Sequence, residues 1–179
     1  MCITPLSFTP SAAVLTVGAK GSAVRLLQRQ FNSRVEDLGL MRSMALSVDG
    51  VFGPKTLTAV KYLQCVGGFP VNGQVDQATE RFIRQGIAGL PRLSAEDEKT
   101  REFRTCVAAV QRTMLAAGVS TLVDGRFGQQ TTAALEAYQR QMRLPMSSVV
   151  DTATWDVIVR SRLTTLPCAA LLPHSYACR

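Results

Sequence analysis

Apolar residues recur at steps of three and four along most of this chain, which is the spacing that places side chains on one face of an α-helix. One such run covers residues 22–38, and a second begins after Gly53-Pro54, where a proline fits the first helical turn. A third begins at Asp76, whose carboxylate is expected to accept a hydrogen bond from the backbone N–H of Ala78 or Thr79. These helices are predicted to bury Val24, Leu27, Phe31, Val35, Leu38, Leu57, Val60, Leu63, Cys65, Phe82 and Ile83.

Residues that favour helix ends mark the boundaries of these segments. Ser22 is a predicted N-cap, because its hydroxyl can accept a hydrogen bond from the first helical turn, and Gly39 is predicted to end that helix. Gly67-Gly68 is predicted to end the second helix. In the other half of the chain, Ser94 with Asp97 resembles a capping box at the start of a long helix.

An internal repeat relates the two halves. The motif V-D-G-x-F-G-x-x-T at residues 48–56 recurs at residues 123–131, an offset of 75, and the same register continues without a gap through Ile83 and Ile158. Further upstream, residues 24–31 match residues 107–114 at an offset of 83, so the first copy has about eight extra residues before its motif. The second copy is predicted to bury Phe103, Val107, Val110, Met114, Leu135, Tyr138, Met142, Trp155 and Ile158.

The repeat predicts an all-α chain of two tandem small three-helix bundles. Each bundle is expected to have a core of its own, and because a unit of this size is marginally stable alone, the two are expected to touch. The predicted segments are an N-terminal extension (1–17), a first domain (18–88), a linker (89–94), a second domain (95–163) and a C-terminal tail (164–179).

The charge and hydropathy of the chain argue against two classes of partner, nucleic acids and membranes. The 179 residues carry a formal net charge of +7 that is spread along the chain and not gathered in one stripe with aromatic residues, so no nucleic-acid partner is expected. The most apolar N-terminal run, Ala12–Val17, is far shorter than a membrane-spanning helix, and no membrane span is expected. No cation precedes that run, so no secretory signal is recognised.

Histidine and cysteine usage argues against catalysis. The single histidine, His174, lies near the C-terminus, and the five cysteines include no C-x-x-C pair, so neither a metal site nor a catalytic residue nor a cofactor is predicted. Cys65 and Cys106 fall at core-like phases and are expected to be small buried hydrophobes. The odd count leaves at least one thiol free or paired between chains.

The D-G-x-F-G-x-x-T segments have two interpretations. In the structural one, the aspartate accepts hydrogen bonds from amides of a tight turn, the glycine allows positive φ, the phenylalanine packs into the core and the threonine bonds back to the helix start. In the functional one, the same turn forms one wall of a shallow groove that presents amides and hydroxyls to a polar ligand. The groove residues are then Asp49, Gly50, Phe52, Gly53, Thr56, Asp124, Gly125, Phe127, Gly128, Thr131 and Tyr138.

Both copies resemble the peptidoglycan-binding domain that is attached to many bacterial cell-wall hydrolases. The first copy has its G-x-x-V-x-x-L-Q pattern at residues 21–28, its V-D-G-x-F-G-x-x-T pattern continuing to the second-helix glutamine at residues 48–64, and F-P-V-N-G-Q-V-D at residues 69–76. The second copy keeps residues 123–139 and ends in V-D-T-A-T-W at residues 150–155. The resemblance implies a three-helix fold and a noncatalytic role in binding peptidoglycan, through its stem peptide or its glycan.

Two departures from the family leave an alternative open. The family is normally exported beside a catalytic domain, whereas neither a partner domain nor a clear signal is recognised here. The alternative is an intracellular protein–protein interaction or assembly module built on the same fold, with the apolar tail at residues 166–173 docking to a protein partner. Compartment and oligomeric state are left open at this stage.

Overall fold

The computed structural model describes residues 14–40, 42–97 and 100–164, together with Cys168 and Leu171. This part of the chain is helical and forms no β-strand, only three isolated bridges, so the all-α prediction is confirmed. Two short 3₁₀ helices lie at Arg42–Met44 and Gly86–Gly89. The α-helices are α1 (Ser22–Asp37), α2 (Pro54–Gly67), α3 (Gln77–Gln85), α4 (Arg101–Ala116), α5 (Gln129–Gln141) and α6 (Thr152–Thr164).

Several helix ends follow the predicted residues. Helix α2 has Gly53 as its N-cap, and Gly68 caps its C-terminus in the left-handed conformation at φ 79°. At the start of α3, Asp76 Oδ1 accepts a hydrogen bond from the Thr79 N–H at 2.9 Å. The equivalent Asp151 caps α6 in the same way. Short polar side chains therefore define where these helices begin.

Two predicted N-caps are wrong. Ser22 is the first residue of α1 and Gly21 holds the cap position, so the serine hydroxyl makes no cap hydrogen bond. Helix α4 begins after Thr100, whose Oγ1 accepts from the backbone N–H of the third helical residue at 3.1 Å. Ser94 instead donates to Asp97 Oδ2 at 2.7 Å within a separate turn before the helix. The chain offers two capping sequences in a row, and the later one starts the helix.

The predicted core positions are buried almost without exception, with Leu57 and Met142 only half-buried. Buried side chains of the two repeats belong to one connected cluster, so the expectation of two separate cores is wrong. The reason is that α6, from the second repeat, packs against α2 and the Gly86–Gly89 helix of the first. Each repeat thus covers apolar surface that a unit of its size would leave exposed.

A half-buried arginine lies at the junction of the repeats. The Arg162 guanidinium on α6 donates to the carbonyl oxygens of Cys65 (2.6 Å) and Val66 (3.1 Å) at the end of α2. It also donates to Ala109 O and Thr113 Oγ1 on α4. Burial lowers the pKa of Arg162 below its ordinary value. One side chain thus joins three helices from both repeats through hydrogen bonds to their backbone carbonyls and to one hydroxyl.

Other contacts across the junction are close and specific. The Trp155 indole N–H donates to the carbonyl of Pro91 in the linker at 2.7 Å. At the end of α2, a Cβ added to Gly68 would lie 2.5 Å from Cβ of Ala109 on α4. Glycine is therefore required at this position for the approach of the other repeat as well as for its positive φ.

A disulfide corrects the sequence interpretation of one cysteine. Cys65 on α2 is bonded to Cys168, 103 residues later, and is not a simple buried hydrophobe. Spacing along the chain held no sign of this pair because the tail is brought to α2 only by the packing of α6. Cys106 is free and buried as expected, and burial raises the pKa of its thiol to about 12. His174 and the other two cysteines lie outside the described residues, as does most of the apolar tail.

Candidate functional site

The first acidic-glycine turn is held by a glutamine from α1. The Gln28 side-chain amide donates to Asp49 Oδ1 at 2.8 Å and to the Val51 carbonyl at 3.2 Å, and lies 3.4 Å from Thr56 Oγ1. Its Oε1 accepts from the Gly50 N–H at 2.9 Å. Gln28 is 1% exposed, so an otherwise costly buried amide is fully used in fixing the turn and the start of α2.

The second turn repeats this arrangement. Gln111 on α4 donates to Asp124 Oδ1 (2.9 Å), the Arg126 carbonyl (3.1 Å) and Thr131 Oγ1 (3.0 Å), and accepts from the Gly125 N–H (2.9 Å). The threonine hydroxyl donates to the Arg126 carbonyl at 2.7 Å. The internal repeat therefore conserves a complete hydrogen-bonded unit of glutamine, turn and threonine.

The same unit occurs again between α2 and α3. Gln64 donates to Asn72 Oδ1 (3.0 Å) and the Gln74 carbonyl (2.7 Å), lies 3.4 Å from Thr79 Oγ1, and accepts from the Gly73 N–H (2.8 Å). Here asparagine replaces aspartate with the same contacts. The turn therefore requires an acceptor oxygen and not a negative charge.

A fourth glutamine, on α5, holds the turn between α5 and α6. Gln139 donates to Ser147 Oγ (3.2 Å), the Val149 carbonyl (2.9 Å) and Thr154 Oγ1 (3.1 Å). In all four units the threonine follows the acidic, amide or hydroxyl turn residue by seven positions. The 75-residue repeat is thus made of two half-repeats, which sequence comparison at the longer offset did not separate. The threonine seven positions after each turn residue, with a glutamine on the preceding helix, was the available signal.

Hydrogen bonding keeps both turn carboxylates ionised. The Gln28 amide, and secondarily the Val51 N–H, lower the pKa of Asp49 below its ordinary value of 3.8. The Arg126 N–H, and secondarily Gln111, do the same to the pKa of Asp124. Both aspartates are exposed and therefore meet solvent as anions at neutral pH.

The structure separates the predicted groove residues by exposure. Asp49, Asp124 and Gly128 are exposed and Gly53 is half-buried, so these positions reach the surface. The glycines of the two turns are buried, with φ of 77° and 70°. The aromatic and hydroxyl members lie inside the protein beneath the turns; they are Phe52, Phe127, Thr56, Thr131 and Tyr138.

Tyr138 has no exposed surface, and its hydroxyl has no hydrogen-bond partner among the described residues. Burial raises its pKa above the ordinary value, so the phenol stays neutral. It lies on α5 between the apolar faces of the second repeat. The ring is a core component whose polar atom is unused by the fold.

An open groove of about 590 Å³ lies beside the second turn. One wall is the exposed face of α4 and the other is the chain at residues 123–125. A separate cleft of about 340 Å³ lies between the end of α2 with the start of α3 and the first turn of α4. The groove brings Asp124 and Gly125 together with three arginines; its lining is Arg101, Arg104, Thr105, Ala108, Arg112, Val123, Asp124 and Gly125.

At the first turn, a side chain and a backbone segment of the same repeat occupy the space beside the glycine. A Cβ added to Gly50 would lie 2.9 Å from Cγ and Nε of Arg25, which crosses the turn. The preceding segment also pairs with it, since the Gly21 N–H donates to the Gly50 carbonyl and the Phe52 N–H to the Ala19 carbonyl, both at 2.9 Å. The two repeats therefore share the turn but differ in what surrounds it.

Two further properties of the described residues concern metal binding and membrane crossing. Within the described ranges, no cluster of three or more histidine, cysteine, aspartate or glutamate side chains is arranged to hold a metal ion. No helix in the same ranges combines the length and apolar character needed to cross a bilayer.

Comparison with known proteins agrees with the geometry. A family model described as "Putative peptidoglycan binding domain" matches residues 20–83 and again residues 105–158, the segments that contain the glutamine-held turns. The chain is 33% identical over 141 residues to the N-acetylmuramoyl-L-alanine amidase CwlM of Mycobacterium tuberculosis, and the match covers 78% of this chain but 33% of that protein. It thus spans about a third of that relative. No solved structure matches the chain significantly. The chain belongs to the peptidoglycan-binding domain family.

Proposed function

We propose that the chain binds bacterial cell-wall peptidoglycan without cleaving it, through two repeated modules at residues 18–88 and 95–163. The observation that carries this proposal is the double match to a binding family, on two segments that each retain the glutamine, acidic-glycine turn and threonine. Of the four glutamine-held turns, the two with an aspartate and a glycine each rest on a fully buried amide, which presents their surface in a fixed geometry.

The ligand-facing groups of this proposal are the exposed members of the predicted groove. Asp49 and Asp124 present carboxylates, and Gly53 and Gly128 present backbone close to the surface. The buried members do not face the ligand and instead hold the turns and helices in place; they are Phe52, Phe127, Thr56, Thr131 and Tyr138. The proposed site is therefore a shallow polar surface supported by a rigid core.

The noncatalytic part of the proposal rests on the chemistry around the turns. Their amide, hydroxyl and carboxylate groups are hydrogen-bonded to one another, and no thiol or imidazole lies among them. An amidase reaction needs a metal-bound water or an activated nucleophile with a positioned base. The amidase name of the mycobacterial relative applies to a protein of which this chain matches a third.

Two linked modules suit a repetitive polymer. Once one module is bound, the second is held near further copies of the ligand, so the overall affinity exceeds that of either module. The Arg162 contacts and the disulfide both join the repeats, so the two surfaces are held in one relative orientation.

The Cys65–Cys168 bond favours the cell-wall interpretation over the intracellular alternative. Stable disulfides form in oxidising compartments and are rare in the cytosol. An assembly module in the cytosol would be expected to keep both thiols reduced, and the tail would then lose its covalent link to α2.

Sedimentation with purified, insoluble peptidoglycan sacculi tests the proposal. The full chain is expected to co-sediment in a saturable manner at physiological salt. The comparison protein is a helical domain of equal size and net charge, which controls for attraction between a basic protein and an anionic polymer. Retention no greater than that of the control would contradict the proposal.

The same preparation tests the noncatalytic part. We expect no soluble muropeptide or glycan fragment in the supernatant after prolonged incubation. Fragment release that increases with protein concentration would show that the chain is an enzyme.

A further inference from the structure

The surroundings of the second turn differ from those of the first in two ways. The side chain of Arg25 crosses the first turn, whereas the equivalent position on α4 is Ala108, and the atoms nearest to a Cβ placed on Gly125 belong to Arg104, with its carbonyl oxygen at 2.8 Å and its Cβ at 3.5 Å. Helix α4 also begins one turn earlier than α1, so residues 101–104 extend the wall of the groove where the first repeat has residues 18–21.

Three arginines line this wall on one face of α4. Arg101, Arg104 and Arg112 are separated by three and eight positions, which places them within one side of the helix. All three are exposed, and no carboxylate in the described part of the chain lies within ion-pair distance of any of them. Glu102, between them in sequence, is already paired with Arg81 of the first repeat.

The opposite wall contributes one carboxylate. Asp124 Oδ1 accepts from both Gln111 and the Arg126 N–H, so it is oriented by the turn, and its single negative charge offsets only one of the three arginine charges. Three guanidinium groups facing one satisfied carboxylate leave an excess of positive charge in a groove of about 590 Å³. A ligand that fits this groove carries negative charge.

We infer that this groove of the second repeat binds the peptide part of peptidoglycan through a free carboxylate. The inference rests on the proposed function and specifies which chemistry is recognised. Guanidinium groups bind carboxylates through paired, charge-assisted hydrogen bonds, whereas the hydroxyls of a sugar chain gain little from positive charge. The first repeat, whose equivalent space is filled by Arg25, contributes less to this recognition.

Titration of the full chain with a soluble stem tripeptide and with its C-terminally amidated form tests the inference. We expect the free acid to bind and the amide to bind about tenfold more weakly, since a charge-assisted hydrogen bond is lost. The variant Arg104→Gln/Arg112→Gln is expected to lose about tenfold or more in affinity for the free acid. Equal binding of acid and amide would overturn the inference.

The matched control is Arg29→Gln/Arg42→Gln, which removes the same charge from exposed positions of the first repeat. It is expected to bind the tripeptide like the wild type, and equal unfolding midpoints would show that all variants are folded. Equal weakening by both double variants would indicate nonspecific attraction and overturn the inference.

Sedimentation of the variants with sacculi separates a failure of this inference from a failure of the proposed function on which it rests. Weaker retention of Arg104→Gln/Arg112→Gln than of the control variant supports the inference. Wild-type retention of that variant overturns the inference and leaves peptidoglycan binding intact. Failure of the wild type itself to sediment overturns the proposed function and this inference together.

Discussion

The side-chain amide of Gln111 and the carboxylate of Asp124 are joined by a hydrogen bond of 2.9 Å that links helix α4 to the turn before α5. The same glutamine accepts from the Gly125 N–H and reaches Thr131, so one buried side chain serves four groups of a single turn. Its equivalent in the first repeat is Gln28. This unit is the common structural basis of both proposed binding surfaces.

Replacing Gln111 with methionine, which has similar volume, should destabilise the protein by about 2–4 kcal/mol, because buried partners lose their hydrogen bonds. Urea unfolding measures the change. Gln130→Met is the control, since Gln130 is exposed on the next helix and its replacement should leave stability within about 0.5 kcal/mol. Equal effects of the two substitutions would show that the buried amide does not hold the turn.

Lowering the pH should destabilise the fold through Asp49 and Asp124. The pKa of each aspartate is depressed below 3.8 on folding. Their contribution to the free energy of unfolding is therefore complete above that pH and is lost as the pH falls through the lower pKa of the folded state. Asp49→Asn/Asp124→Asn should reduce this dependence while keeping the turns, because Asn72 already accepts from Gln64 in the same geometry. The pH dependence is measured from urea unfolding midpoints between about pH 6 and about pH 2. Identical pH profiles for the variant and the wild type would contradict the prediction.

Local features of this fold were predictable because they depend on residues close in sequence. Asp76 and Pro54 mark the starts of their helices, and the three- and four-residue apolar spacing identified the buried faces. The start of α4 was not predictable in this way, because Ser94 and Thr100 are both good capping residues. Packing against the rest of the protein selects between them. The shared turn was found from sequence, whereas the glutamine beneath it was aligned but given no role.

Loss of the disulfide should weaken the attachment of the tail. In a chain-entropy model a crosslink between residues 103 positions apart stabilises by about 4.7 kcal/mol, so Cys168→Ser should lower the unfolding temperature. Dithiothreitol should lower it in the wild type and have no further effect on Cys168→Ser, which serves as the control. An equal response of both proteins to reductant would show that the Cys65–Cys168 bond is not what stabilises them.

Removing the Arg162 guanidinium should loosen the junction of the repeats. Arg162→Met leaves the buried carbonyl of Val66 without its donor and the carbonyl of Cys65 with the Gly68 N–H alone, and we expect a loss of about 2–3 kcal/mol. The control is Arg160→Met on the same helix, where an exposed pair with Asp156 contributes at most about 0.5 kcal/mol. Denaturant unfolding compares them. Equal stabilities would mean that the junction does not depend on this arginine.

Features that join distant parts of the chain were not predictable from spacing. Arg162 resembles any other arginine near a helix C-terminus, and its partners are set by how α6 lies against α2 and α4. The open groove likewise follows from comparing Ala108 with Arg25, a difference that has meaning only once both turns are seen in three dimensions. Long-range packing, and not local propensity, determines these parts of the candidate site.

The most direct test of peptidoglycan recognition by this chain is a sedimentation isotherm of the 179-residue chain on purified sacculi, with the supernatant assayed for released fragments. The account predicts saturable retention above that of a helical protein of equal charge, with no fragments released. Retention equal to that of the comparison protein would contradict it.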